Sequence, residues 1–202
     1  MAVTGLVLAG GKSSRMKTNK AELLFGDKTL QQRSVDLLHS VGLSDVLISR
    51  NGCHANADYL PDIYPNRGPL GGIYSALKHT ANDLLVVAID MPLLNRALLT
   101  RLLNFYEQQK IHNKTMNLAH FSQFPLPIYI NNNQVTQHYL RATLSAIDSN
   151  CSIKQFIKTC HGESLASSQT DAFSNINTPV QYNQLCKTHG INQFKKEVIN
   201  HD

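Results

Sequence analysis

Leu8-Ala9-Gly10-Gly11-Lys12-Ser13-Ser14-Arg15-Met16 runs straight out of an apolar stretch, and Lys20 follows shortly after. Two successive glycines remove side chains where backbone N–H groups must approach phosphate oxygens. Lys12, Arg15 and Lys20 supply cations for a triphosphate; Arg15 offers a planar fork, and Lys20 a point charge able to stabilise a transferred phosphoryl group. The competing reading is a tight turn followed by solvated lysines. Three cations directly behind a buried strand favour the phosphate site.

Further along, Asp90 ends an apolar strand just before Met91-Pro92. A carboxylate there can hold a hard divalent cation, magnesium being the expected one, against substrate phosphates. An aspartate capping the next helix is the alternative, but that helix is expected to begin only near Asn95 or Arg96. Arg67-Gly68-Pro69-Leu70-Gly71-Gly72-Ile73 combines a rigid turn with two glycines at a helix start. These glycines suit either close approach of backbone to a base or ribose, or tight internal packing. Asn175 and Asn177 occupy alternate positions of an extended segment, so they share a face and could complete a phosphate or metal site.

These groups need a scaffold that brings loops together. Val, Leu and Ile-rich segments alternate with segments of helical period, which predicts an α/β fold with a largely parallel sheet. Strands are expected at Val3–Ala9, Asp45–Ser49 and Asp83–Ile89, and helices at Leu30–Val41, Gly71–His79, Arg96–Gln109, Gln134–Ile147, Ile153–Cys160 and Val180–His189. The polar region Lys110–Asn133 carries one strand ending at Ile130, and Phe173–Pro179 reads as a strand end and turn. In such sheets ligands bind outside the carboxyl ends of the strands, which is where both sharp motifs fall. A P-loop is excluded, because its first glycine would have to occupy Leu6, within the strand. The dinucleotide fingerprint fails as well, since Ser13 and Ser14 follow the glycine pair.

At 202 residues the chain suits one domain, with a polar tail from Gly190 expected to fray. Its hydrophobic content of 42% and charged content of 16% are those of a globular protein. No apolar stretch approaches membrane-spanning length and no secretory signal is visible at the N-terminus, so a cytoplasmic location is expected. Four cysteines without a C-x-x-C pair or a close Cys/His cluster argue against a zinc or disulfide framework. A net charge of +5 suits anionic ligands, but no dense basic run with interleaved aromatics points to nucleic acid.

In order and spacing these residues resemble the molybdenum cofactor guanylyltransferase family. The resemblance rests on L-A-G-G-x-x-x-R-M at Leu8 to Met16 followed by Lys20, on Gly68-Pro69-Leu70-Gly71-Gly72-Ile73, on Asp90-Met91-Pro92 and on Asn175-Ile176-Asn177-Thr178-Pro179. It implies a three-layer sandwich around a mostly parallel sheet, the Rossmann-like, glycosyltransferase-A-like nucleotidyltransferase fold. It further implies GTP and molybdopterin as substrates, Mg²⁺ as cofactor, transient contacts with other cofactor-biosynthesis proteins, and neither nucleic acid nor membrane as partner. Leu8, Ala9, Gly10, Gly11 and Lys12 would then seat the nucleotide, with Asn51, Asp62 and Gly71 about the nucleoside and Lys20 in contact. Asp90 would bind nucleotide and metal, with Arg15, Lys20, Asn175 and Asn177 near the reacting phosphates. Two positions depart from the pattern: Asn19 replaces an aspartate, and Ser49 stands where the family has an asparagine. A CTP-dependent or sugar-phosphate transferase and a catalytically silent nucleotide binder are the rival readings.

Overall fold

A computed structural model describes residues 2–10, 19–50, 59–147 and 149–191. Strand β1 (Val3–Leu8) is followed by a 3-10 turn at Lys20–Glu22, a short hairpin of β2 (Leu24–Phe25) and β3 (Lys28–Thr29), and helix α1 (Leu30–Ser40). Next come β4 (Val46–Ser49), β5 (Tyr59–Leu60), α2 (Pro69–His79), β6 (Asp83–Ala88) and α3 (Arg96–His112). The chain continues with β7 (Leu118–Phe121), β8 (Phe124–Ile130), α4 (Gln134–Ser145), α5 (Ile153–Thr159), β9 (Gly162–Leu165) and α6 (Pro179–Thr188).

Seven strands form one sheet in the order β5-β4-β1-β6-β8-β7-β9. All neighbours run parallel except at β8, which is antiparallel to both β6 and β7. The expectation of a mostly parallel α/β sheet is therefore met, with one reversed strand in it. From β1 the chain crosses through α1 to β4 on one side, and later through α2 to β6 on the other. Right-handed crossovers in opposite directions put α1 and α2 on opposite faces. The glycines record both contacts. A Cβ at Gly5 would lie 2.9 Å from Leu38 Cδ1 of α1, and one at Gly72 of α2 would lie 2.3 Å from Ser49 Oγ. Helix α3 packs beside α1 and α4 covers α2, whose residues Leu70 to Leu77 are all buried.

Several expected boundaries shift for local reasons. Helix α2 starts at Pro69, two residues early, because Gly68 takes φ 62°, ψ −156°, a backbone shape that favours glycine, and proline is suited to the first helical position. The polar region after α3 holds the β7–β8 hairpin, with Pro125 and Pro127 inside β8 and a cis Leu126–Pro127 bond. The segment expected as a strand end before Pro179 is instead a 3-10 turn at Thr170–Phe173 followed by irregular extended chain. Short strands β5 and β9 and the β2–β3 hairpin add to the expected set.

Side chains lock the loops at the carboxyl ends of the parallel strands. Arg67 donates to the Leu144 and Ile147 carbonyls at 3.1 Å each, and also to that of Ala146, fastening the turn before α2 to the end of α4. Arg33 of α1 reaches the Phe25 carbonyl at 3.4 Å and the Pro92 carbonyl at 3.2 Å, with its guanidinium 5.0 Å from the Phe25 ring centre. One side chain thereby ties the segment after Lys20 to the segment after Asp90.

Candidate active site

A cleft of about 550 Å³ opens at the carboxyl ends of β1 and β6, next to β8. Leu8, Ala9 and Gly10 form one wall. Their backbone is held on both sides, since Ala9 N–H donates to the Ser49 carbonyl at 3.0 Å and Ile89 N–H to the Leu8 carbonyl at 3.3 Å. Among the described residues, a Cβ at Gly10 would meet only the Ser49 carbonyl oxygen, at an ordinary 3.8 Å. Packing against the described residues therefore does not demand glycine there, whereas backbone approach by a ligand would.

Lys20, Asp90, Asn175 and Asn177 line the same cleft. Lys20 Nζ donates to Asn177 Oδ1 at 2.9 Å, and Ile176 N–H donates to the Asp90 carbonyl oxygen at 2.8 Å. Alternation along the late segment explains this placement: Ile176 is buried in the core, so Asn175 and Asn177 both turn outward. Burial pushes the Asp90 carboxyl above the ordinary carboxylate range, and the Lys20 charge only partly reverses this. The following helix begins at Arg96 with Asn95 as its cap, so Asp90 has no capping role there.

Asp62 and Gly71 do not line this cleft but lie together beside it, at the start of α2. Ser49 Oγ donates to Asp62 Oδ1 at 2.9 Å, and a Cβ at Gly71 would come within 2.8 Å of the Tyr64 carbonyl oxygen and 3.2 Å of Asp62 Oδ2. Gly71 is thus required by packing, and so is Gly72. Pro69 of the same turn reaches the cleft. Gly11, Lys12, Arg15 and Asn51 lie outside the described residues. Both departures from the expected pattern find partners. Asn19 caps the Lys20–Glu22 turn, its Oδ1 accepting from Ala21 N–H at 3.2 Å and its Nδ2 donating to Glu22 Oε1 at 2.6 Å, a role asparagine fills as well as aspartate. Ser49 orients Asp62.

Sequence reasoning missed the far wall, made by Gln123 to Leu126 of the β7–β8 hairpin, Phe173 and Lys154. Phe173 ends a 3-10 turn and is buried where Asn175 and Asn177 face outward, so alternation does not mark it, and nothing in the local pattern marks Lys154.

Whether this cleft suits a divalent cation follows from its donors. No group of three His, Cys, Asp or Glu side chains clusters among the described residues. Magnesium shared with phosphates and water needs only one or two carboxylates. Asp90, a half-buried carboxylate incompletely compensated by Lys20, with two asparagine amides along the same cleft, fits that kind of site.

The profile of the MobA-like NTP transferase domain matches residues 5–145. A molybdenum cofactor guanylyltransferase of Xanthomonas euvesicatoria pv. vesicatoria is 32% identical over 188 residues, spanning 90% of this chain and 93% of that protein. Among solved structures, the molybdopterin-guanine dinucleotide biosynthesis protein A of Archaeoglobus fulgidus matches with a TM-score of 0.71 at 19% identity, over 94% of this chain and 99% of that one. The 2-C-methyl-D-erythritol 4-phosphate cytidylyltransferase of Thermus thermophilus gives a TM-score of 0.67 at 13% identity, over 95% and 100% of the two chains. At such identities the two structures speak for the fold, while the sequence matches speak for descent. The chain belongs to the MobA-like NTP transferase family, a nucleotidyltransferase related along nearly its whole length to the molybdenum cofactor guanylyltransferases.

Proposed function

We propose that this chain transfers GMP from GTP to the terminal phosphate of Mo-molybdopterin, giving molybdopterin guanine dinucleotide and pyrophosphate. The observation that carries this reading is the convergence of the Leu8–Gly10 turn with Lys20, Asp90, Asn175 and Asn177 on one cleft at the carboxyl ends of β1 and β6. An oxygen of the acceptor phosphate attacks the α-phosphorus of GTP. The bond from that phosphorus to the oxygen bridging to the β-phosphate breaks, and its electron pair leaves with pyrophosphate.

The residues act by positioning and by neutralising charge. Leu8, Ala9 and Gly10, with Gly11 and Lys12, seat the nucleotide, and Asp62, oriented by Ser49, recognises the nucleoside together with Asn51, while Gly71 serves by packing closely behind Asp62. Arg15 and Lys20 offset charge on the triphosphate; Asn175 and Asn177 orient the acceptor phosphate. Asp90 would hold Mg²⁺, which when bound supplies further charge neutralisation on the phosphates. The setting is the cytoplasm, with GTP and molybdopterin as substrates and brief encounters with the proteins that deliver and receive the cofactor.

Incubating the protein with Mg²⁺, molybdopterin and GTP, CTP, ATP or UTP in parallel, and following pyrophosphate, tests the reading. GTP-selective, acceptor-dependent release supports it. Preference for CTP changes the product, and absence of release with every nucleotide overturns it in favour of another acceptor or a silent binder. Asp90→Ala is expected to lower turnover at least ~10²-fold, on the order of 3 kcal/mol in the barrier, with the protein still folded by circular dichroism. Wild-type turnover in that variant removes Asp90 from the mechanism.

A further inference from the structure

The cleft extends past the groups assigned to phosphate transfer toward the β7–β8 hairpin, and the chemistry on its two flanks differs. On the side of β4 and β5 stand Ser49, Asp62 and the start of α2; on the other side stand the β7–β8 hairpin, Phe173 and Lys154. Asp90, at the end of β6, lies between them. Because β8 runs against β6, with Leu84 opposite Ile130 and Val86 opposite Ile128, continuing the register sets Leu126 beside Ala88 and swings the hairpin tip to the catalytic end. Gln123 turns the tip with φ 71°.

That end presents a flat apolar wall. The Phe124 and Phe173 rings stack with centroids 4.1 Å apart and planes 8° from parallel, and Phe121 braces Phe173 at 4.9 Å. Phe173 and Leu126 are buried in the core, so the wall is fixed, while Phe124 and Pro125 remain partly open toward the cleft. Lys154 stands exposed at the same end, and among the described residues it pairs with no carboxylate. Asp90 is the one acidic side chain among the described lining residues. An aromatic wall beside an uncompensated cation suits a flat heterocycle that carries a negative group of its own.

We infer that the Phe124–Pro125–Phe173 wall and Lys154 form the acceptor-binding half of the cleft, Lys154 determining specificity by pairing with an anionic group of the acceptor other than the phosphate that attacks GTP. The assignment rests on the GMP-transfer reading above. The nucleotide keeps the β1 turn and the β4 side, so the ring system of the acceptor lies along the hairpin with its phosphate directed at Lys20 and Asp90.

Anaerobic calorimetric titration of the full chain with molybdopterin, and separately with GTP and Mg²⁺, tests the inference, alongside turnover. Lys154→Ala should weaken molybdopterin binding about 10-fold, the scale of one charge-assisted contact, and Lys154→Arg should restore most of it. GTP affinity should stay unchanged, and the salt dependence of molybdopterin binding should flatten. Phe124→Leu, which keeps apolar volume but removes the stacked ring, should weaken the same binding about 5-fold. Lys158→Ala controls for charge alone, since Lys158 lies on the same helix but not in the cleft. Unchanged molybdopterin affinity in Lys154→Ala, an equal loss of GTP affinity, or an equal effect of Lys158→Ala overturns the inference. A wild-type protein that binds molybdopterin but releases no pyrophosphate fails the reading of function while the variants still decide the subsite. A wild-type protein that does not bind molybdopterin overturns both.

Discussion

Asp90 is held where its charged form is disfavoured, and this is visible in the direction of its proton affinity. Its folded-state pKa lies above the ordinary value because of burial, so the native state binds the proton more tightly than the unfolded chain. Ionisation then penalises the folded state above the folded pKa, and the penalty vanishes once pH drops below the unfolded value. In chelator-treated protein, Asp90→Asn should therefore raise the melting temperature near neutral pH, with the gain fading as pH falls through the carboxylate range, while turnover assayed with Mg²⁺ is lost. An unchanged melting temperature at neutral pH would mean that the carboxylate is better solvated than its setting indicates. Asp90 was legible in the sequence because an apolar run ended on it, and Asn175 and Asn177 because alternation put them on one face. Lys154 was not, since its placement depends on how α5 meets a hairpin almost 30 positions earlier in the chain, which no local spacing encodes.

Among the elements, α2 and β4 approach closely enough to demand glycine. A methyl group at position 72 would stand 2.3 Å from Ser49 Oγ, 2.8 Å from its Cβ and 3.1 Å from Leu8 Cδ2. Gly72→Ala is expected to cost about 2 kcal/mol by overpacking, and adding Ser49→Gly should recover part of that loss, giving a coupling measurable by denaturant unfolding of the four proteins. Additive effects would show that the helix simply moves away. Serine at 49, where the resemblance leads one to expect asparagine, is the small side chain this contact needs. The central strands β1 and β6 could be read from sequence because both faces are covered by helices, which makes them continuous apolar runs. Strands β5 and β9, of two and four residues, owe their state to the neighbour they pair with rather than to composition, and Pro125 and Pro127 disguised β8.

Across the whole molecule, the end of the sheet away from the cleft carries a buried polar cluster of its own. Asp83, at the start of β6 and roughly 20 Å of strand and turn from Asp90, is buried and accepts from Tyr129 Oη at 2.7 Å, Asn131 Nδ2 at 3.1 Å and Asn132 N–H at 2.8 Å. It joins β6 to the end of β8. Asp83→Ala leaves those donors without a partner and should cost about 3 kcal/mol, lowering the melting temperature while the KM for GTP stays at the wild-type value. A raised KM would show that the far end of the sheet also sets the geometry of the cleft. The reversed strand has one more consequence. Since β8 reaches the cleft only through its first residues and the turn before them, acceptor preference can diverge by changes in that turn and at Lys154 of α5, leaving untouched the strands that carry the glycine turn and Asp90. One half of the reaction can thus evolve while the other is conserved.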